Sequence, residues 1–126
     1  MYNINNIRGN INIMNEKTYA ITFISIKDDG TQIKTICKAK HGTPILDVAE
    51  QYNVHIEHAC ERSLACSTCH CIPDKESYKK FPSKSEDEDI LLDTAFQPTI
   101  HSRLACQLNA VTDCTILIPN KNKNLA

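Results

Sequence analysis

The chain has no tryptophan and only three glycines in 126 residues. So few glycines exclude a Gly-rich loop that cradles phosphate. No apolar run approaches the roughly 20 residues that a membrane-spanning helix needs, so no membrane association is expected. Neither sign of charge dominates: 14 Lys and Arg stand against 15 Asp and Glu, a formal net of −1. Without a basic excess there is no overall field to attract nucleic acid or an anionic membrane. The length suits one domain of ordinary size.

Cysteine is what the chain does have, seven of them. An odd count, with no charged-then-apolar leader at the start, argues against a disulfide framework. Reduced thiols in a reducing compartment, most of them ligating metal, fit better. Cys60, Cys66 and Cys69 follow the spacing C-x5-C-x2-C, and Cys106 follows after 36 intervening residues. Three thiols on one short loop and one from far along the chain suit a [2Fe–2S] cluster, in which each iron takes two thiolates. The plant-type spacing is C-x4-C-x2-C…C, one residue shorter in the first interval. Structural zinc is the competing reading of four cysteines, but zinc sites usually use two C-x2-C knuckles, and this chain has one. A catalytic thiol beside His58 or His70 is a weaker reading, because a nucleophile does not need four clustered sulfurs.

Periodicity organises the rest. Residues 1–16 are Asn- and Ile-rich and are expected to be a disordered extension or a targeting remnant. A single domain is expected over 17–120, with a polar tail at 121–126. Thr18–Lys27 alternates apolar and polar residues as a strand does. Asp28-Asp29-Gly30 signals a tight turn, and Thr31–Ala39 reads as the returning strand, with Cys37 a small buried side chain on it. Thr43 as N-cap and Pro44 as first helical residue open a helix, whose Ile45, Val48, Ala49 and Tyr52 should face the sheet. His41 is expected in a loop. A hairpin and then a helix packed on it is the opening of an α+β, β-grasp fold. His58–Cys71 lacks a regular pattern and should be a loop, and Lys75–Lys84 a solvated surface connection. Ser85–Ala95 reads as a second helix with Leu91, Leu92 and Ala95 inward. Arg103–Cys106 reads as a short extended piece and Cys114–Ile118 as a last strand ended by Pro119.

On that second helix Glu86, Asp87, Glu88, Asp89 and Asp93 place five acids within eight residues, with no base among them. Acids in a first turn favour the helix dipole, but like charges at i, i+4, as at Asp89 and Asp93, repel. The crowding points to a docking surface for a basic partner, steered electrostatically. Lys75, Lys79, Lys80 and Lys84 flank it.

The run His58-Ala59-Cys60-Glu61-Arg62-Ser63-Leu64-Ala65-Cys66-Ser67-Thr68-Cys69-His70-Cys71, with Ser102-Arg103-Leu104-Ala105-Cys106-Gln107, resembles the adrenodoxin-type [2Fe–2S] ferredoxins. It is especially similar to the bacterial and mitochondrial members that serve iron–sulfur cluster assembly. The resemblance runs from about Thr18 to Pro119. It implies a 2Fe-2S ferredoxin-like β-grasp fold and one [2Fe–2S] cluster per chain, ligated by Cys60, Cys66, Cys69 and Cys106. It implies an electron-transfer protein and not an enzyme, a monomer that shuttles single electrons. The implied donor is an NAD(P)H-dependent flavoprotein ferredoxin reductase. The implied acceptor is the cysteine desulfurase and scaffold complex of cluster assembly, with a haem-thiolate monooxygenase as the alternative. A zinc-binding interaction module is the alternative of another class. The resemblance also implies that His70 braces the cluster loop and that Arg103 pairs with an acid of the second helix, Glu88. Arg62 stands where many mitochondrial relatives have glycine, and Ile90 where relatives often carry an acid. Cys71, two residues past a ligand as in the bacterial assembly members, is either a sulfur-handling thiol that contacts the desulfurase or a non-ligand strand cysteine. The expected location is the mitochondrial matrix or a mitochondrion-derived organelle, with a bacterial cytoplasm as the alternative.

Overall fold

The computed structural model describes residues 17–56, 68–95 and 97–120. The extension 1–16, the tail 121–126 and most of the expected cluster loop, including Cys60 and Cys66, lie outside the described residues.

Alternation along the first two strands decides which side chains are buried. In β1 (Thr18–Ile26), Ile21 and Phe23 point inward and are fully buried; in β2 (Gln32–Lys40), Cys37 and Ala39 do the same. The two pair antiparallel with Ile21 opposite Cys37. Gly30, with φ of 91°, turns the chain between them, and the Thr31 N–H donates to the Asp29 carboxylate at 2.9 Å. Glycine meets that positive φ without a Cβ clash.

Helix α1 (Ile45–Gln51) lays Ile45, Leu46, Val48 and Ala49 into the core. Fully burying one such aliphatic side chain contributes about 1.5–3 kcal/mol. The helix starts one position later than the sequence suggests. Pro44 is the cap, with no side-chain cap hydrogen bond, and it bridges to Asn109. That bridge draws Pro44 out of the helix and leaves Thr43 no capping role. Tyr52 meets the sheet only at its edge: it is 40% exposed, and its hydroxyl bonds the Lys38 backbone of β2. The helix closes on Asn53, which adopts φ of 59°. The Val54 N–H then donates to the Ala49 carbonyl at 2.8 Å, and the Asn53 N–H to Glu50 at 3.2 Å. This is a Schellman closure with asparagine in the left-handed position.

The remaining elements are β3 (His70–Pro73), α2 (Lys75–Lys80), α3 (Glu86–Leu92), β4 (Arg103–Leu104), a 3-10 turn (Ala105–Gln107) and β5 (Cys114–Ile118). The sheet order is β2-β1-β5-β3-β4, with β5 parallel to β1 and the other pairs antiparallel. A hairpin grasping a helix against a mixed sheet is the expected β-grasp arrangement.

Four local readings need correction. Lys75–Lys80 is a helix and not a surface connection: the Asp74 carboxylate accepts from the Ser77 N–H at 2.8 Å, and the Ser77 hydroxyl accepts from the Thr115 N–H at 2.9 Å. Its lysines face solvent, which hid the period. His70 and Cys71 lie on β3, not in a loop. Cys106 lies on the 3-10 turn and not on an extended piece. Ser85 does cap α3, accepting from the Glu88 N–H at 3.1 Å, but the helix ends at Leu92, three residues early.

Candidate cluster site

Two of the four expected ligands are described, and strand pairing brings them together. Cys69 precedes β3 and Cys106 follows β4. The strands pair antiparallel, His70 opposite Leu104 and Cys71 opposite Arg103. The Ala105 N–H extends the ladder, donating to the Cys69 carbonyl at 2.9 Å. The 3-10 turn at Ala105–Gln107 then turns the chain back, so that Cys106 meets Cys69 side chain to side chain. A hydrogen bond between the two sulfurs, with burial, holds the Cys69 thiol well above the ordinary thiol range. Cys69 is fully buried and Cys106 half-buried. The Gln107 amide donates to the Cys106 sulfur at 3.4 Å.

Two sulfurs hydrogen-bonded to one another, from positions 37 apart in the sequence, form a soft donor pair. The pair suits one iron of a two-iron cluster, and both thiol protons would leave on metal binding, because the ligand is the thiolate. Among the described residues no group of three His, Cys, Asp or Glu converges on a common point. The described part therefore offers no complete site for a single zinc ion.

The segment carrying Cys106 is anchored by a buried ion pair. Arg103 donates from Nε to Glu88 Oε2 at 2.8 Å and from Nη2 to Oε1 at 3.1 Å. Its Nη1 donates to the Pro82 carbonyl at 2.7 Å. Glu88 also accepts from the Leu104 N–H at 2.9 Å. Both side chains are almost wholly buried, at 3% and 1% exposed. The Arg103–Glu88 partnership is present, but it removes Glu88 from the docking surface: a carboxylate that is 1% exposed does not touch a partner. Glu86, Asp87, Asp89 and Asp93 remain exposed on or beside α3, with Lys84 3.2 Å from Asp89. Ile90, 62% exposed, stands among them.

His70 is buried, and its Nε2 shares a 2.7 Å hydrogen bond with the Ser102 hydroxyl. Ser102 in turn accepts from the Thr99 N–H at 2.7 Å. This joins the residue next to Cys69 to the turn before β4. Ser102 stood in the family-like run without an assigned role, and nothing local marked the Pro82 carbonyl, since both act across long separations through ordinary polar groups.

Cys71 is fully buried on β3, and burial pushes its thiol up strongly, with Glu88 raising and Arg103 lowering it. Direct contact between this thiol and a desulfurase does not fit that placement; a strand cysteine does. Cys37 and Cys114 are also buried, and burial raises both.

Residues 26–111 match the family described as the 2Fe-2S iron-sulfur cluster binding domain. The chain is 39% identical to the mitochondrial adrenodoxin-like protein 1 of Arabidopsis thaliana over 115 residues. That alignment takes in 88% of this chain but 57% of the plant protein's length. It is 42% identical over 92 residues to the 2Fe-2S ferredoxin of Escherichia coli K12, covering 72% of this chain and 82% of that one. Among solved structures, the ISC-like [2Fe-2S] ferredoxin (FdxB) of Pseudomonas putida superposes with a TM-score of 0.70 at 33% identity, covering 86% and 98% of the two chains. The cofactor these relatives share decides between iron–sulfur and zinc. The chain belongs to the 2Fe-2S iron-sulfur cluster binding family and, within it, to the adrenodoxin-type ferredoxins, which carry one [2Fe–2S] cluster.

Proposed function

We propose that the chain is a one-electron carrier and not an enzyme, and that Cys60, Cys66, Cys69 and Cys106 hold its cluster. The observation that carries this is the meeting of Cys69 and Cys106 at the β3–β4 ladder, in a chain with the family's cysteine spacing. When bound, the cluster supplies one-electron redox chemistry. All-cysteine ligation favours a negative potential, with plant-type relatives at about −400 mV as a guide. The protein's part is to position and shield. Buried Cys69 keeps water from one sulfur, and half-buried Cys106 leaves another near the surface. His70 and Arg103 brace the segments that carry them.

The donor in this reading is an NAD(P)H-dependent flavoprotein reductase with a basic docking face. It meets the exposed acids Glu86, Asp87, Asp89 and Asp93, whose field steers encounter. The acceptor is the cysteine desulfurase and scaffold complex of cluster assembly, a role supported by the resemblance to assembly ferredoxins and by the ISC-like relative. A mitochondrial matrix or related organelle accords with the mitochondrial plant relative, and a bacterial cytoplasm with the Escherichia coli one. No helix among the described residues is long and apolar enough to cross a membrane.

The test is elemental and spectroscopic. Protein purified without oxygen should contain two irons and two acid-labile sulfides per chain, as the cluster formula requires. It should absorb in the visible and give a rhombic EPR signal once reduced. Cys69→Ser and Cys106→Ser should each lose these signatures, and Cys71→Ser should keep them. Zinc in colourless protein would overturn the reading. Pull-down against a cysteine desulfurase and against a haem-thiolate monooxygenase separates the two acceptors.

A further inference from the structure

Strand β2 closes one end of the sheet, and among the described residues its outer edge carries no further strand. At Lys38 the backbone turns off that edge: the N–H donates to the Tyr52 hydroxyl at 3.0 Å, and the hydroxyl donates to the Lys38 carbonyl at 3.4 Å. Hydrogen-bonding direction alternates along an antiparallel pair. Lys34 and Ile36 therefore turn their N–H and C=O groups off the same edge.

The side chains of Lys34, Ile36 and Lys38 share the outward face by the same alternation. All three are exposed, Ile36 by 66%. On β1 they lie opposite Ile24, Thr22 and Ala20, so no carboxylate stands directly across the strand pair from either lysine. Among the described residues neither lysine enters an ion pair. Beside them opens a groove of ≈ 380 Å³, lined by Tyr19, Ala20, Ile36, Cys37, Lys38 and Tyr52. A single exposed isoleucine is ordinary. Here it is flanked by two unneutralised lysines on an open strand edge, next to a groove.

The geometry points to a second docking surface, on which the outer edge of β2 takes an extended, acidic segment of a partner protein as an added strand. Backbone pairing supplies the affinity, and alternate side chains supply the selectivity. Carboxylates of the segment meet Lys34 and Lys38, and an apolar residue between them meets Ile36 and the groove. The Tyr52 hydroxyl already holds the Lys38 backbone, so pairing stops there and the open stretch is Gln32–Ile36. The surface is separate from the acidic helix: α3 packs on β4, and β4 lies at the opposite end of the sheet from β2. A carrier held at β2 thus keeps its acidic helix clear for a basic partner. Two lysines over a short stretch are a poor match for an anionic membrane, which is bound by clusters of about four to eight.

The test uses the cluster-loaded protein and a fluorescein-labelled decapeptide containing Glu-Thr-Val-Thr-Glu, which sets both Glu and the Val on one face of an extended strand, read by fluorescence anisotropy. Saturable binding that weakens with salt is expected. The K34E/K38E double variant should weaken it about tenfold, the size expected for two exposed charge contacts. Its visible spectrum and its rate of reduction by the reductase should not change. D89K/D93K should leave peptide binding as it is, which separates this surface from the reductase-docking one. K34Q/K38Q repeats the test with a smaller expected loss, should the reversal disturb folding. Absence of saturable binding would overturn the inference; it would mean that the lysines serve only to discourage strand edges from pairing with one another. Binding that is indifferent to both lysine variants would also overturn it. So would sedimentation with phosphatidylserine vesicles, lost in K34E/K38E, in protein that does not bind the peptide.

Discussion

Arg103 and Glu88 meet through two parallel hydrogen bonds of 2.8 and 3.1 Å in the interior. The same carboxylate holds the Leu104 N–H, two residues before Cys106. The acidic helix and the segment bearing the fourth cysteine are thereby one mechanical unit. Removing one partner strands the other: Glu88→Ala should cost about 3–5 kcal/mol, because it leaves an unpaired buried guanidinium. Chemical denaturation of the loaded protein measures it. The double change E88L/R103M should be less destabilised than E88L alone, and a double loss equal to the sum of the two single losses would show that the pair is not energetically coupled.

The Ser102 hydroxyl serves both His70 and the Thr99 N–H. Ser102→Ala removes both bonds and should destabilise by about 1–3 kcal/mol, the range for leaving a buried polar group without its partner. Visible absorption should bleach faster in a chelator, since His70 adjoins Cys69. Unchanged melting and bleaching would remove His70 and Ser102 from the bracing of the site.

Burial, reinforced by Asp74 and Asp113 and partly offset by Lys80, pushes the Cys114 thiol from 9.0 up to about 12. The folded protein therefore holds that proton more tightly than the unfolded chain. The resulting stability is fully present below pH 9 and is lost as pH rises toward 12. Denaturation midpoints measured across that window should fall with pH, and Cys114→Ala should flatten the slope. A slope identical in both proteins would contradict this assignment.

Charge reversal at Asp89 and Asp93 should slow reduction by a flavoprotein reductase about tenfold or more at low ionic strength, within the span of electrostatic steering. The difference should shrink as salt screens the surface, and the visible spectrum should stay the same. A rate indifferent to both substitutions would place docking elsewhere. Glu88 does not belong in this test, because its effect would be on folding.

Much of this was legible in the chain because it is written in local periodicity. Alternation over Thr18–Lys27, the Asp28-Asp29-Gly30 turn and the pattern of Ile45, Val48 and Ala49 gave the hairpin and its helix. Ser85 with the acids after it gave the start of α3. The helix over Lys75–Lys80 was not legible, because its buried contacts are few and polar. Its cap, Asp74, and its inward residue, Ser77, carry no apolar signature. Tyr52 looked like a core residue by spacing and instead seals a strand edge with its hydroxyl.

Cysteine spacing and the surrounding motif determined the cofactor and the kind of protein, because ligand chemistry is a property of residue type and order. Only the folded chain decided which polar groups work as structure. By charge pattern alone Glu88 is one of five acids on the second helix, and only the family resemblance marked it as the partner of Arg103; the fold withdraws it into the core. The strand pair that seats Cys106 beside Cys69 brings Arg103 to it. Burial is a property of what the rest of the chain packs around a residue, and no local pattern of charge records it.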